Sequence, residues 1–209
     1  MVVDRSTWFD KEYFESRTKN ELGDYWIKHE KAKEINAGWI IDLMKILNVK
    51  KRRVLDLGCA YGQTVRGLVN KGIDAYGVDI SEYSIEEGKK RQPKIADRLL
   101  CKNIEDEDFA EEIIKKWGKF DFVTSQVTLE HILEGKVDTV IKNIYDITEG
   151  GGFSYHNIDN AMSKDITHYC VHGMKWWQEK FMKQRFIPYD TNAELKAVNW
   201  YFFKKATNG

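Results

Sequence analysis

The stretch "VLDLGCAYGQT", Val54 to Thr64, constrains the fold more than any other part of the chain. An apolar run carries one acid, Asp56, and gives way to a loop with small residues at alternate positions, Gly58, Ala60 and Gly62. The run reads as a buried strand, and the small residues let a ligand come close to the backbone. A strand that delivers such a loop, followed by a helix from Gln63 to Lys71 closed at Gly72, is the first unit of an open α/β sheet. In such sheets ligands sit beyond the carboxyl ends of the strands, where the strand order reverses.

The rest of the chain repeats the alternation. An amphipathic helix from Lys28 to Asn48, with Ile35, Trp39, Ile40, Leu43, Ile46 and Leu47 as its apolar residues, leads into the first strand. "IDAYGVDIS" is a second strand ending at Asp79, "RLLCKNI" a short third, "FDFVTSQVTLEHI" a fourth that runs out at Ser125 and Gln126, and "GFSYHNID" a fifth. Between them lie the helical stretches "EYSIEEGKKRQ", "FAEEIIKKWG" and "VDTVIKNIYDITEGGG", the last ending in a glycine triplet. Strands separated by helices of this length form right-handed crossovers in a parallel sheet. After Asp159 the pattern changes to a helix, "GMKWWQEKFMKQ", and two strands, "RFIPYD" and "ELKAVNWYFFKK", read as a closing antiparallel hairpin. The expectation is a Rossmann-like, doubly wound α/β fold: a seven-stranded, mostly parallel sheet with a C-terminal antiparallel hairpin. The 209 residues are read as one domain: a helical cap or lid over 1–50, a cofactor-binding core over 51–160, and an acceptor-recognition segment with the hairpin over 161–209.

Composition removes several function classes. Lys plus Arg and Asp plus Glu both total 33, so the net charge is zero and neither a nucleic-acid footprint nor a basic membrane face is expected. Cys59, Cys101 and Cys170 are too few and too scattered for a zinc or disulfide framework; as free thiols they suit a reducing, cytoplasmic setting. The N-terminal residues "MVVDRSTWFDKEYFESR" lack the apolar core of a secretory signal, and no stretch reaches the ~18 apolar residues of a membrane span.

The loop also sorts its ligands. A phosphate-binding P-loop needs a Lys before Ser or Thr, and here Gln63 precedes Thr64. A dinucleotide fingerprint needs a third glycine at position 63, so the NAD reading is weakened though still open. Asp79, ending the second strand, is placed to accept from two ribose hydroxyls, which implies a ribose-containing cofactor. The alternative is that Asp79 only caps the next helix together with Ser81.

In this order and spacing "VLDLGCAYGQT", "AYGVDIS", "KNIED", "FDFVTSQVTLEHI" and "EGGGF" resemble the successive motifs of class I S-adenosylmethionine-dependent methyltransferases, over Val54 to about Phe153. Ala60 departs from the glycine many members carry, a mild change, since alanine also leaves room for the cofactor's amino-acid end. The resemblance implies S-adenosylmethionine as cofactor and S-adenosylhomocysteine as product. It implies that Asp56, Gly58, Cys59, Ala60 and Gly62 line the methionine part, that Asp79 holds the ribose, that Ile80 packs on adenine with Asn103 and Ile104 at its edge, and that Gln126 closes the floor beneath the sulfonium.

For the acceptor, His131 in "LEHI" and His156 in "FSYHNID" fall at the carboxyl edge of the sheet, where a neutral imidazole can take a proton from a hydroxyl. The alternative for His131 is a helix-start residue that only shapes the cofactor pocket, and for His156 a structural hydrogen bond at the strand end, which is the stronger of its two readings. Downstream, Asp165, Thr167, His168 and the pair Trp176 and Trp177 resemble a pattern of methyltransferases acting on sugars, with Asp165 and His168 as further bases. Neighbouring helical residues point about 100° apart, so one tryptophan can join the core while the other offers a flat face to a ring. The N-terminal aromatics read either as a lid, with Tyr13 or Tyr25 reaching the site, or as an ordinary cap. Asp159 and Asn160 resemble the metal-binding pair of catechol-type enzymes, but Ser125 and Gln126 stand where those need an acid, so metal independence is expected. The expected acceptor is a small molecule or glycan, methylated on a hydroxyl oxygen. Nitrogen methylation, a non-catalytic scaffold and an NAD-linked oxidoreductase remain as rivals.

Overall fold

The computed structural model describes residues 6–16, 25–49, 52–160, 166–189 and 200–207. Seven strands form one sheet: β1 (Arg53–Leu57), β2 (Asp74–Asp79), β3 (Leu99–Cys101), β4 (Phe120–Gln126), β5 (Thr148–Asn157), β6 (Phe186–Pro188) and β7 (Trp200–Lys205). Their order is β3-β2-β1-β4-β5-β7-β6, with β2 parallel to β3, β1 to β4 and β4 to β5, while β7 runs antiparallel to both β5 and β6. The expected doubly wound sheet with an antiparallel closing hairpin is therefore present. The strand order changes direction at β1 and β4, the position at which such sheets place their ligands.

By its contacts the chain divides into two compact units, Met1–Asn48 with Gly58–Asn103, and Val49–Leu57 with Ile104–Gly209. In the first, helix α1 (Lys11–Glu15) and the long helix α2 (Tyr25–Ile46) precede α3 (Gln63–Asn70) and α4 (Glu82–Arg91). The buried stripe of α2 is Lys33, Ala37, Ile40, Leu43 and Met44, continued by Leu47 just past its end. Ile35 and Ile46, expected on that face, are 64% and 60% exposed, because the helix turns them away from the 33-37-40-44 row. Helix α2 runs close to α3 at Gly67, where a Cβ would stand 2.7 Å from that of Ala37.

In the second unit α5 (Phe109–Trp117), α6 (Val137–Ile147) and α7 (Met174–Lys183) accompany the sheet. Val54, Leu55, Leu57, Phe122 and Val123 are fully buried, as expected for parallel strands covered on both faces. The glycine triplet does not simply end α6. The helix stops at Ile147, the Thr148 hydroxyl donates back to the Ile144 carbonyl at 2.6 Å, and β5 runs on through Gly150–Gly152. The register against β4 shifts there, Gly151 takes φ +80°, and a Cβ on Gly152 would meet the Asp121 and Glu149 carbonyls at 3.0 Å, so the triplet serves a bulge rather than a terminus.

Candidate functional site

The loop after β1 is built almost wholly from backbone. Gly58, Ala60 and Gly62 all have positive φ, 70°, 51° and 78°, a conformation that glycine adopts freely and that Ala60, with its Cβ, adopts only at a cost. The Gly58 and Cys59 amides both donate to the Val78 carbonyl, at 2.9 and 3.0 Å. Cys59 packs against β2 where Gly77 leaves room, since a Cβ there would lie 2.7 Å from its sulfur. A Cβ on Gly62 would lie 2.6 Å from Leu99.

Asp79 joins this loop to the next helix. One carboxylate oxygen accepts from the Ala60 amide at 2.8 Å and the other from the Ser81 amide at 2.9 Å. The helix-capping duty falls to Ser81, whose hydroxyl accepts from the Ser84 amide at 3.0 Å. Burial pushes the Asp79 carboxyl up, against the amides of Ser81, Ala60 and Ile80 and the positive charge of Lys33, which hold it down. A carboxylate offers about four lone-pair sites, so Asp79 keeps acceptor capacity beyond these three amides.

Aromatic side chains surround the loop on this unit. Phe14 and Tyr61 are buried with Ala60, and Phe9, Tyr13, Tyr25, Trp26 and Tyr83 pack against them. Gln63 donates to the Trp26 carbonyl at 3.1 Å and to Glu30 at 2.7 Å, Glu30 pairs with Arg66, and Arg91 lies over the rings of Trp26 and Tyr61. Tyr13 is half-buried, edge-on to Phe9 and Phe14.

In the other unit, the chain leaving β4 is strained. Val127, β-branched and 48% exposed, has φ +53°, held by its amide donating to the Asn157 carbonyl at 2.9 Å. The Thr128 hydroxyl donates to the Leu57 carbonyl at 3.2 Å, and a short 3-10 turn, Leu129–His131, follows. The Glu130 carbonyl accepts from the amides of Tyr169 and Cys170, both at 2.9 Å, which brings the segment after residue 165 against this turn. His131 Nδ1 then lies 3.1 Å from the Thr167 carbonyl and 2.9 Å from its hydroxyl. The His168 ring stands edge-on to His131, centroids 4.7 Å apart. The Glu130 carboxylate, at 0% exposure, accepts from the Asp159 amide at 3.1 Å, and Asn160 donates to the Tyr201 hydroxyl at 2.8 Å. Burial pushes the Tyr201 phenol up; the bond from Asn160 opposes that, and the Glu130 charge adds to it.

The chain matches the family described as "Methyltransferase domain" over residues 28–201, most of its length. It belongs to that family. The methyltransferase domain is 26% identical over 128 residues to a ubiquinone biosynthesis O-methyltransferase of Bordetella avium, covering 61% of this chain and 50% of that protein. Against the Coxiella burnetii protein of the same name the identity is 28% over 153 residues, covering 71% and 62%. The chain thus spans about half to three fifths of the length of these relatives. An amino pentose methyltransferase of Micromonospora echinaspora, solved with SAM bound, has the same fold: TM-score 0.65, 11% identity, 83% of this chain and 92% of that one covered.

The structure brings Gly58, Cys59, Ala60, Gly62 and Asp79 of this methyltransferase domain into one hydrogen-bonded group. Asp56 is buried in β1, while Ile80, Asn103, Ile104 and Gln126 are half-buried; Gln126 donates to the Thr124 hydroxyl at 3.3 Å. Of the four expected bases, His131 and His168 come together, and Asp165 lies outside the described residues. His156 is enclosed in the sheet: Ser125 reaches Nδ1 at 2.8 Å, Ser154 reaches Nε2, and burial drives the imidazole down to about 3. A ring with both nitrogens engaged and no exposure cannot meet an acceptor, so its role is structural. Trp177, expected as a substrate residue, is 1% exposed and belongs to the core, because its place on α7 faces the sheet. Trp176 is half-buried, with one face stacked on His172 at 3.8 Å and Lys180 5.2 Å from its centroid. The sequence alone does not single out Lys33, Glu130 or Tyr201. For Glu130 a signal existed, since an acid beside a histidine directly after a buried strand is placed for chemistry.

Proposed function

We propose that this chain binds S-adenosylmethionine and transfers its methyl group to a hydroxyl oxygen of a small ring-shaped acceptor. The observation that carries the reading is the Gly58–Gly62 loop tied through the Ala60 amide to Asp79, a backbone cradle with a carboxylate at its end. In the reaction the acceptor oxygen attacks the methyl carbon, the C–O bond forms as the C–S bond breaks, and the electron pair stays on sulfur, giving S-adenosylhomocysteine. The acceptor's proton must leave, and a sugar alkoxide is too basic to exist free at neutral pH. The group of Glu130, His131, Thr167 and His168 is the polar apparatus for that task; of the expected bases, His131 and His168 belong to it and His156 does not.

A sugar is the first acceptor class, on the strength of the residues from Thr167 to Trp176 and of the amino pentose methyltransferase that shares the fold. A phenolic ring is the second, favoured by the name of the curated relatives. Incubation with methyl-labelled cofactor and panels of sugars, phenols, amines and peptides tests both. Label in an ether of a sugar or phenol supports oxygen transfer. Label only in amines or peptides contradicts it and leaves the cofactor assignment standing.

A further inference from the structure

We propose that Glu130, His131 and His168 form a binding site for a single divalent transition cation, zinc by its donor set. Each offers one ligand atom, and the three atoms lie within 4.8 Å of one another. Donors on a tetrahedral ion at about 2.0–2.2 Å stand roughly 3.3–3.6 Å apart, so rotations moving each atom by about an ångström close the site. Two imidazoles and one carboxylate, with a further position left open, match zinc and disfavour magnesium, which prefers oxygen donors.

Three features make this more than a cluster. The Thr167 carbonyl can only accept and its hydroxyl can accept or donate, so a proton on His131 Nδ1 satisfies both contacts and leaves the lone pair on Nε2, the orientation that outer-sphere partners impose on metal-binding histidines. His168 Nδ1 is enclosed and has no hydrogen-bond partner among the described residues; ligation through it supplies one. The Glu130 carboxylate sits at 0% exposure, where solvent does little to weaken its attraction to a cation. The turn that carries Glu130 and His131 is locked to the His168 segment by the two amides on the Glu130 carbonyl, which hold the ligands near closure before any ion arrives.

The site deepens the proposed function, resting on it for its purpose alone: a cation here binds the acceptor hydroxyl and lowers its pKa, and the two imidazoles then act as ligands rather than as bases. It also reverses the expectation of metal independence, which considered oxygen ligands at Ser125, Gln126, Asp159 and Asn160 and not this set.

The test uses the full chain, stripped with chelator, then titrated calorimetrically with Zn²⁺ and separately with Mg²⁺. The expected result is one zinc per chain, bound at least 100-fold more tightly than magnesium, and affinity lowered at least 100-fold in Glu130→Gln and in His168→Ala. His172→Ala, which removes another imidazole of the same region, should bind as wild type. Absence of zinc binding in the wild type, or zinc binding that survives both ligand substitutions, overturns the proposal; the first readout needs no variant to fold. Titration with S-adenosylmethionine on the same samples separates the two readings: zinc bound without cofactor leaves the metal site and removes the methyl-transfer reading, and cofactor bound without zinc does the reverse.

Discussion

The loop after β1 and the turn after β4 are both candidate binding regions, and they are built in opposite ways. The first is backbone held by backbone: three positive-φ small residues, two amides on one carbonyl, and one carboxylate gripping the chain on either side. The second is a meeting of side chains, Glu130 and His131 from one segment with Thr167 and His168 from another more than thirty residues away. A backbone cradle suits a ligand that does not vary, whereas a side-chain cluster can be changed residue by residue, which suits the variable partner of a reaction. Substitutions should therefore break the first region through stability and cofactor affinity, and the second through turnover.

The largest effect is expected at His131. His131→Ala should lower kcat by roughly 10²–10⁴-fold while S-adenosylmethionine affinity stays within about twofold, read by steady-state kinetics and calorimetry on one preparation. A loss shared equally by affinity and turnover would erase the distinction between the regions. Next comes Gly62→Val, which places a β-branched side chain at φ +78° and against Leu99. It should cost about 3 kcal/mol or more in urea unfolding, from strain and overpacking together. Unchanged stability would mean that neither the φ of Gly62 nor its approach to Leu99 constrains the loop.

Acid should act on the two units with opposite sign. His156 titrates near 3 when folded and 6.5 when unfolded, so between those values only the unfolded chain takes up the proton. Stability is lost as pH falls through that window, with a slope of up to about 1.4 kcal/mol per pH unit. Asp79 is raised above 3.8, so the folded state binds its proton better and stability falls as pH rises from 3.8 through its folded value. Unfolding curves at stepped pH for His156→Gln should show a shallower acid limb than wild type. An identical limb would remove the account of His156 as an enclosed neutral ring. The smallest effect is at the cap: Ser81→Ala should cost about 1 kcal/mol by thermal unfolding, without the turnover loss seen at His131.

The difference between the regions also decides what could be read in advance. Gly58, Ala60 and Gly62 are near neighbours in sequence, and Asp79 ends an apolar strand, so the cradle was legible from local pattern. The grip of Asp79 on the Ala60 amide, nineteen residues away, and the charge of Lys33 beside it depend on how α2 packs, which composition does not reveal. The second region was half legible. His131 follows a strand and His168 a loop, but their meeting depends on two amides reaching the Glu130 carbonyl, a long-range contact without sequence signature. His156 misled because a histidine near a strand end looks the same whether it faces a ligand or two serines. The Gly150–Gly152 triplet misled because glycine marks helix ends and bulges alike.

The central claim is that the Gly58–Gly62 loop and Asp79 together hold S-adenosylmethionine, and calorimetric titration of wild type and Asp79→Ala tests it most directly. The account predicts one site per chain in the wild type and, in a variant that circular dichroism shows to be folded, affinity roughly 10–150-fold weaker, the worth of about 1.5–3 kcal/mol of hydrogen bonding to a charged group. Equal affinity in the two proteins, or no binding by the wild type, would contradict it.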